Sequence, residues 1–251
     1  MAGVVGRVAL VTGGGRGIGL ETAGLLASRG ASVMAVARSE DELKKTGLEY
    51  TVADLGTVEG CEKAVAETQA RLGPIEIFVC NHGIGSAHER VLWEQDTATW
   101  DETMRINLDG PFYLSRLILK SMVERRYGRA VYVSSTAALV AEHAGSAYNC
   151  SKLGLIGLMR SVAQDGGAYN VTSNAVLPGW VRTEMAERSA RAEAKASGIT
   201  SDEVWRQREA LYAPGRVATP REVAEMIAFL ASEESSGVSA QAIAVSLGGL
   251  S

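Results

Sequence analysis

Residues 8–19 read Val8-Ala9-Leu10-Val11-Thr12-Gly13-Gly14-Gly15-Arg16-Gly17-Ile18-Gly19, and a helical run from Leu20 to Ser28 follows. Four apolar residues predict a short buried strand, and the glycines after it allow a tight turn and a close approach of the backbone to a ligand. A strand feeding a glycine turn feeding a helix aims backbone N–H groups and the positive helix end at one place. That place suits a pyrophosphate. Gly13, Gly17 and Gly19 give the spacing G-x-x-x-G-x-G rather than the strict G-x-G-x-x-G fingerprint, with Gly15, Arg16 and Ile18 between them. A glycine turn alone also serves ordinary loops, so its position directly after the first strand gives it weight.

Working outward, apolar runs of strand length alternate with longer stretches of helical periodicity. Strands are expected at 8–11, 32–37, 49–53, 75–80, 129–134, 171–177 and 242–245, with helices between them. The pattern predicts a single α/β domain over residues 1–251: a Rossmann-type, doubly wound, parallel seven-stranded sheet with helices on both faces. One segment breaks the rhythm. Residues 183–213 are mostly charged and small, with Trp205 and Tyr212 as large exceptions, and are too long for an ordinary connection. Few large apolar residues anchor them, so a mobile substrate lid is expected, with a solvated helical excursion as the plain alternative.

Composition excludes several classes. The formal charge is −4, which gives no general attraction to nucleic acid or to an anionic membrane surface. Three cysteines, Cys61, Cys80 and Cys150, are odd in number and lack metal-ligand spacing, so neither a disulfide framework nor a metal site is expected. No apolar run is long enough to span a bilayer, and Met1 to Arg7 lack the pattern of a secretory signal. A reducing cytoplasm and small-molecule chemistry are the expectation.

Two places speak to the ligand and the chemistry. The second strand ends Ala35-Val36-Ala37-Arg38-Ser39, without the carboxylate that grips ribose hydroxyls in NAD-binding units. Arg38 and Arg16 could clamp a ribose 2′-phosphate instead, which favours NADP(H) and leaves NAD(H) possible. Further on, Tyr148 and Lys152 stand four residues apart at the start of a helical stretch and so share one face. An ammonium beside a phenol lowers its pKa and makes proton transfer practical at neutral pH. Ser135 closes the fifth strand, at the sheet edge where doubly wound folds bind ligands, and its hydroxyl could hold a substrate oxygen there.

In this order and spacing the motifs resemble the short-chain dehydrogenase/reductase family along nearly the whole chain. The resemblance rests on 12–19, on Asp54-Leu55 after strand three, on Asn107 in Asn107-Leu108-Asp109-Gly110, on Ser135, Tyr148 and Lys152, and on Pro178-Gly179-Trp180-Val181-Arg182-Thr183. It implies a catalytic tetrad of Asn107, Ser135, Tyr148 and Lys152. It also implies cofactor contacts from Asp54, Leu55, Asn81, Gly83, Tyr148, Lys152, Pro178, Gly179, Val181 and Thr183. Where the family usually reads Asn-Asn-Ala-Gly, this chain has Cys80-Asn81-His82-Gly83. Asn81 and Gly83 keep the cofactor positions, and His82 is expected to be structural. Residues 240–249 are a loose version of the family's closing strand, which implies a homotetramer.

The resemblance implies hydride transfer between a nicotinamide and a ketone or secondary alcohol, with Tyr148 as proton donor, Ser135 orienting the oxygen, and Asn107 anchoring a water that passes protons to Lys152. A 3-oxoacyl-thioester-type reductase is the leading expectation. Behind it stand an NAD-dependent secondary alcohol, hydroxybutyrate or sugar dehydrogenase, a non-catalytic cofactor sensor or scaffold, and a sugar-nucleotide epimerase, which would need a substrate domain after the last strand. Trp180, Met185, Leu139 and Val140 suggest an apolar substrate wall. Arg125, Arg126 and Arg129 are read either as a contact for an acidic carrier or as a solvated helix end.

Overall fold

Seven strands form one wholly parallel sheet in the computed structural model, which describes residues 3–86 and 89–249. They are β1 (Val8–Thr12), β2 (Ser32–Ala37), β3 (Glu49–Val52), β4 (Ile77–Cys80), β5 (Gly128–Val133), β6 (Val171–Pro178) and β7 (Ala242–Val245). Their order is β3-β2-β1-β4-β5-β6-β7, so the chain works outward from β1 on one side and then restarts at β4 on the other. The β1–β4 junction is the switch point where such sheets open a crevice at their carboxyl ends. All residues of β1, β4, β5 and β6 are buried, because helices cover both faces and no residue can alternate toward water.

The helices are α1 (Gly17–Ser28), α2 (Glu40–Lys44), α3 (Val58–Arg71), α4 (Thr97–Met104), α5 (Gly110–Arg125), α6 (Ser146–Gly166), α7 (Glu184–Ser197), α8 (Ser201–Ala210) and α9 (Pro220–Leu230). On one face α3, α5 and α6 pack Cys61, Leu114, Ile118, Leu155 and Met159 against Leu10, Phe78 and Tyr132. On the other, α1 and α9 pack Leu25, Leu26, Val223 and Ile227 against Val11, Val79 and Val176. Threonine caps recur: Thr57, Thr183, Thr200 and Thr219 each accept a backbone N–H at the start of a helix.

The expected doubly wound sheet is present, with shifts at strand ends. The fourth strand starts at Ile77 rather than 75, although Ile75 remains buried and Glu76 N–H still donates to Val8 O. The sixth runs one residue further, to Pro178, whose missing N–H costs nothing at a strand's last position.

Residues 183–213 depart from expectation in one respect. They contain two helices, α7 and α8, whose Ala186, Ala190, Ala194, Val204 and Trp205 form a small core with Tyr212 and with Val217 just beyond the segment. Trp205 is 2% exposed, and the buried Arg208 guanidinium stacks 3.6 Å from the Trp180 ring. Alanines at helical spacing, easily read as solvated filler, form the buried stripe. Arg129 corrects the carrier reading. Its side chain is wholly buried at the amino end of β5 and bonds Glu233, Asn170 O and Gly128 O, away from the crevice.

Candidate active site

The glycine turn is locked by its neighbours. Gly13 and Gly17 have φ of +65° and +54°, a region that disfavours side chains. A Cβ on Gly19 would overlap the Gly13 carbonyl oxygen, so α1 can start this close to β1 only with glycine there. Asn81 Nδ2 donates to Thr12 O at 3.0 Å and to Gly13 O at 3.3 Å, while the N–H groups of Asn81 and His82 both donate to Thr12 Oγ1. The ends of β1 and β4 are thereby stitched across the switch point. Thr183 closes the turn from the far side, its methyl lying 3.3 Å from where a Gly17 Cβ would stand.

Of the other expected contacts, Asp54 Oδ1 accepts from Gly56 N–H and Leu55 is buried beside Gly110. Ile18 packs into the core behind the turn. Pro178 pairs with Val245, Gly179 leaves room for the Tyr212 hydroxyl, and Val181 forms a bridge to Ala218. Arg38 is exposed and makes no hydrogen bond or ion pair with the described residues. Arg16 is engaged, by Glu42 and by Glu184.

The tetrad residues converge at the carboxyl ends of β4 and β5. Ser135 follows β5 and caps a short turn, accepting from Ala137 N–H at 3.1 Å, and its hydroxyl acts on the Tyr148 phenol to favour the ionised form. Ser134 Oγ donates to Lys152 O at 2.8 Å, which pins α6 to the strand end. Lys152 Nζ lies 5.6 Å from the Tyr148 ring centroid and donates to Val133 O at 3.1 Å. Asn107 sits in a widened π-turn, Arg105–Asp109, between α4 and α5. Its side chain pairs with the backbone of Ile84 in both directions, at 2.8 and 2.9 Å. Gly83 fits between, since a Cβ there would stand 3.1 Å from Asn107 Oδ1 and 3.5 Å from Lys152 Nζ.

Burial sets the electrostatics. It pushes the Tyr148 phenol up to about 12, against the Ser135 hydrogen bond and with the charges of Glu142 and Glu89. It also pulls the Lys152 ammonium down to about 8. The expectation that Lys152 depresses the phenol is therefore not met in the free chain, where the ammonium is directed at a carbonyl rather than at the phenol oxygen. His82 is held down to about 3 by burial and by Lys152. Its Nδ1 lies 2.9 Å from Thr12 Oγ1, and its Nε2 is buried without a partner, so it is a neutral brace behind the turn. Of the residues expected to form an apolar wall, Leu139, Val140 and Met185 are exposed.

A sequence model of the short chain dehydrogenases matches residues 7–194, about three quarters of the chain. The chain belongs to that family. This short chain dehydrogenase is thus an enzyme acting between CH–OH and C=O groups. It is 32% identical over 252 residues to the 3-oxoacyl-(acyl-carrier-protein) reductase FabG of Vibrio cholerae, with 97% of each chain covered. Its fold superposes on levodione reductase with a TM-score of 0.91 at 30% identity, covering 97% of each chain. It superposes on an actinorhodin polyketide ketoreductase crystallised with NADPH with a TM-score of 0.89 at 32% identity, covering 95% of each.

Three carboxylates of this short chain dehydrogenase escape a sequence reading. Glu42 touches Arg16 and the Gly15 position, and Ser39-x-x-Glu42 is a helix-start signature that could have placed it. Glu184 directly follows the Thr183 cap, in the first turn of α7. Glu89 accepts from the N–H groups of Ala147 and Tyr148, and nothing local in the sequence announces that.

Proposed function

We propose that this enzyme reduces the ketone of a 3-oxoacyl-thioester-type substrate with NADPH in preference to NADH. The observation that carries this reading is the meeting of Tyr148, Ser135, Lys152 and Asn107 beside a glycine turn at one sheet edge. The residues fit a dinucleotide. No side chain caps the start of α1, glycine at 19 lets the helix begin close against Gly13, and Arg38 is free to meet a 2′-phosphate. Gly13, Gly15, Arg16, Gly17, Ile18 and Gly19 would hold the pyrophosphate side, with Asp54 and Leu55 at the adenine. Asn81, Gly83, Pro178, Gly179, Val181 and Thr183 would hold the nicotinamide side.

When bound, the reduced nicotinamide supplies the hydride. Ser135 Oγ holds the carbonyl oxygen, and Tyr148 gives that oxygen its proton as negative charge builds there. A phenol near 12 is fully protonated at neutral pH and so ready to donate. Lys152, near 8, is poised to return a proton to Tyr148 and to hold the nicotinamide ribose. The Asn107 side chain is committed to Ile84, so the water that feeds Lys152 is assigned to the main chain of the widened turn.

The relatives that act on 3-oxoacyl carrier-protein thioesters and polyketide ketones support this substrate class, as does the apolar wall of Leu139, Val140 and Met185. A second reading, an NAD(H)-dependent alcohol or sugar dehydrogenase, is favoured by the Glu42 carboxylate against the turn. Residues 183–213 act as the substrate lid of the single domain. The enzyme works as a cytoplasmic homotetramer. Support for this comes from three free cysteines, from the half-covered edge strand β7, and, among the described residues, from the lack of any helix able to cross a membrane. A panel of 3-oxoacyl thioesters, diketones and sugar alcohols assayed with both nicotinamides tests the reading. Turnover confined to sugar alcohols with NAD would replace it with the second.

A further inference from the structure

We propose that Glu89 is a positioning residue for Tyr148. It lies in the stretch between β4 and α4, and its two carboxylate oxygens accept, at 2.8 Å each, from the N–H groups of Ala147 and Tyr148. Those are the second and third residues of α6. The helix begins after Gly145, which has no side chain to cap it, and its first turn holds no acidic residue. A helix start leaves N–H groups unpaired and carries partial positive charge. Glu89 supplies both the acceptors and the countercharge from 58 and 59 residues away. One donor is the amide of Tyr148 itself, so the carboxylate fixes the point from which the phenol projects.

The same stretch is stitched a second time. Ser86 Oγ donates to Glu142 Oε2 at 3.3 Å, and the Asn149 side chain clips the Glu142 main chain through both its amide groups. The stretch begins at Asn81 and Gly83, so the clasp joins the dinucleotide side of the crevice to the helix that carries Tyr148.

Charge reaches the phenol as well. Facing Tyr148 are Lys152 from α6, Ser135 from the end of β5, Glu142 from the segment before α6, and Glu89, while Arg208 of α8 and Tyr212 act on or through Glu142. Both carboxylates hold the phenol up, and removing one leaves the other. Gln at 89 would keep one acceptor and turn an NH2 group toward the other N–H, so the clasp and the charge are lost together.

This inference rests on the reading of Tyr148 as proton donor, and two readouts keep the two apart. The first is ultraviolet titration of the phenol in the substrate-free protein, taken as the difference from Tyr148→Phe. The second is the pH profile of acetoacetyl-coenzyme A reduction with NADPH. In Glu89→Gln the phenol midpoint falls by about half a pH unit or more. In the same variant kcat falls about tenfold, with KM for NADPH within about twofold. Glu89→Asp keeps the charge, so its midpoint stays at the wild-type value and part of kcat returns. An unmoved midpoint in Glu89→Gln overturns the proposal and leaves a helix cap only, whatever happens to kcat. A shifted midpoint in a wild-type protein inert toward every ketone upholds the placement and instead removes the functional reading.

Discussion

Arg16 Nη1 lies 3.2 Å from Glu184 Oε2, which ties the phosphate side of the glycine turn to the first turn of α7. The same nitrogen lies 3.2 Å from Glu42 Oε1. Both pairs are partly exposed, so neither holds the guanidinium strongly, and a phosphate dianion can compete for it.

Cofactor choice follows from that competition. NADPH should bind about tenfold tighter than NADH, a difference of ~1.4 kcal/mol, because Arg38 is free and Arg16 is recruitable. Arg38→Ala should erase most of the difference without weakening NADH. Glu42→Gln should widen it about threefold by releasing Arg16 and removing a repulsive carboxylate. Fluorescence titration with both nicotinamides measures all three. Equal affinities in the wild type would mean that Arg38 is aimed elsewhere.

Two glycines of α1 should behave in opposite ways. Gly19→Ala places a Cβ onto the Gly13 carbonyl and 2.5 Å from Asn81 Nδ2, so the turn must open. A loss of about 2–4 kcal/mol and of NADPH binding is expected. Gly24, exposed in the same helix with nothing within 4 Å of a Cβ, should gain about 0.5–1 kcal/mol as Ala. Denaturant midpoints and cofactor titration read both. A Gly19→Ala protein as stable as the wild type would show that the turn is not locked as described.

The sheet was legible because its strands are short apolar runs set between helical stretches, so 32–37 and even the edge strand 242–245 match their elements end to end. The candidate site could be read as far as it is set within single elements: four residues along α6 for Tyr148 and Lys152, and one strand end for Ser135. What escaped was set across elements. The clasp of Glu89 on Tyr148 spans distant chain positions, and the engagement of Arg16 needs three separate segments to meet. The direction of the Lys152 ammonium was misjudged for a related reason. Helical spacing places two side chains on one face, but a carbonyl on a neighbouring strand, Val133 O, takes the ammonium's hydrogen bond.

Lys152 should be a site where function and stability conflict. Its folded value of about 8 lies below the ordinary 10.5, so the unfolded chain binds the proton more tightly. The sign is therefore a penalty that is full below about pH 8 and fades as pH rises toward 10.5. At neutral pH it amounts to about 3 kcal/mol as an upper figure. Lys152→Met should weaken NADPH binding and turnover, yet match or exceed wild-type stability at pH 7, with that advantage shrinking by pH 10. Thermal melts across pH decide it, and a pH-independent difference would contradict the burial argument. Tyr148→Phe, by contrast, should abolish turnover with cofactor affinity intact.

Residues 183–213 should close over substrate as one body rather than by ordering a loose chain. Trp205, Tyr212 and the alanine stripe give α7 and α8 a core of their own. Their ties to the rest include the Tyr212 hydroxyl, which accepts from Trp180 N–H at 2.7 Å, the Val181–Ala218 bridge, the Arg16–Glu184 pair and the Arg208 stack on Trp180. Motion is then concentrated at 179–183 and 213–218. Amide exchange within α7 and α8 should be slow with or without ligands, while the two flanking stretches exchange quickly until cofactor and a substrate analogue are both bound. Tyr212→Phe strands the Trp180 N–H, at a cost of about 1–2 kcal/mol to the closed arrangement. KM for the ketone should rise about fivefold to tenfold, with NADPH affinity within about twofold. Uniform protection of the flanking stretches in the free protein, together with an unchanged KM in Tyr212→Phe, would make this hairpin a fixed wall of the substrate site instead of its lid.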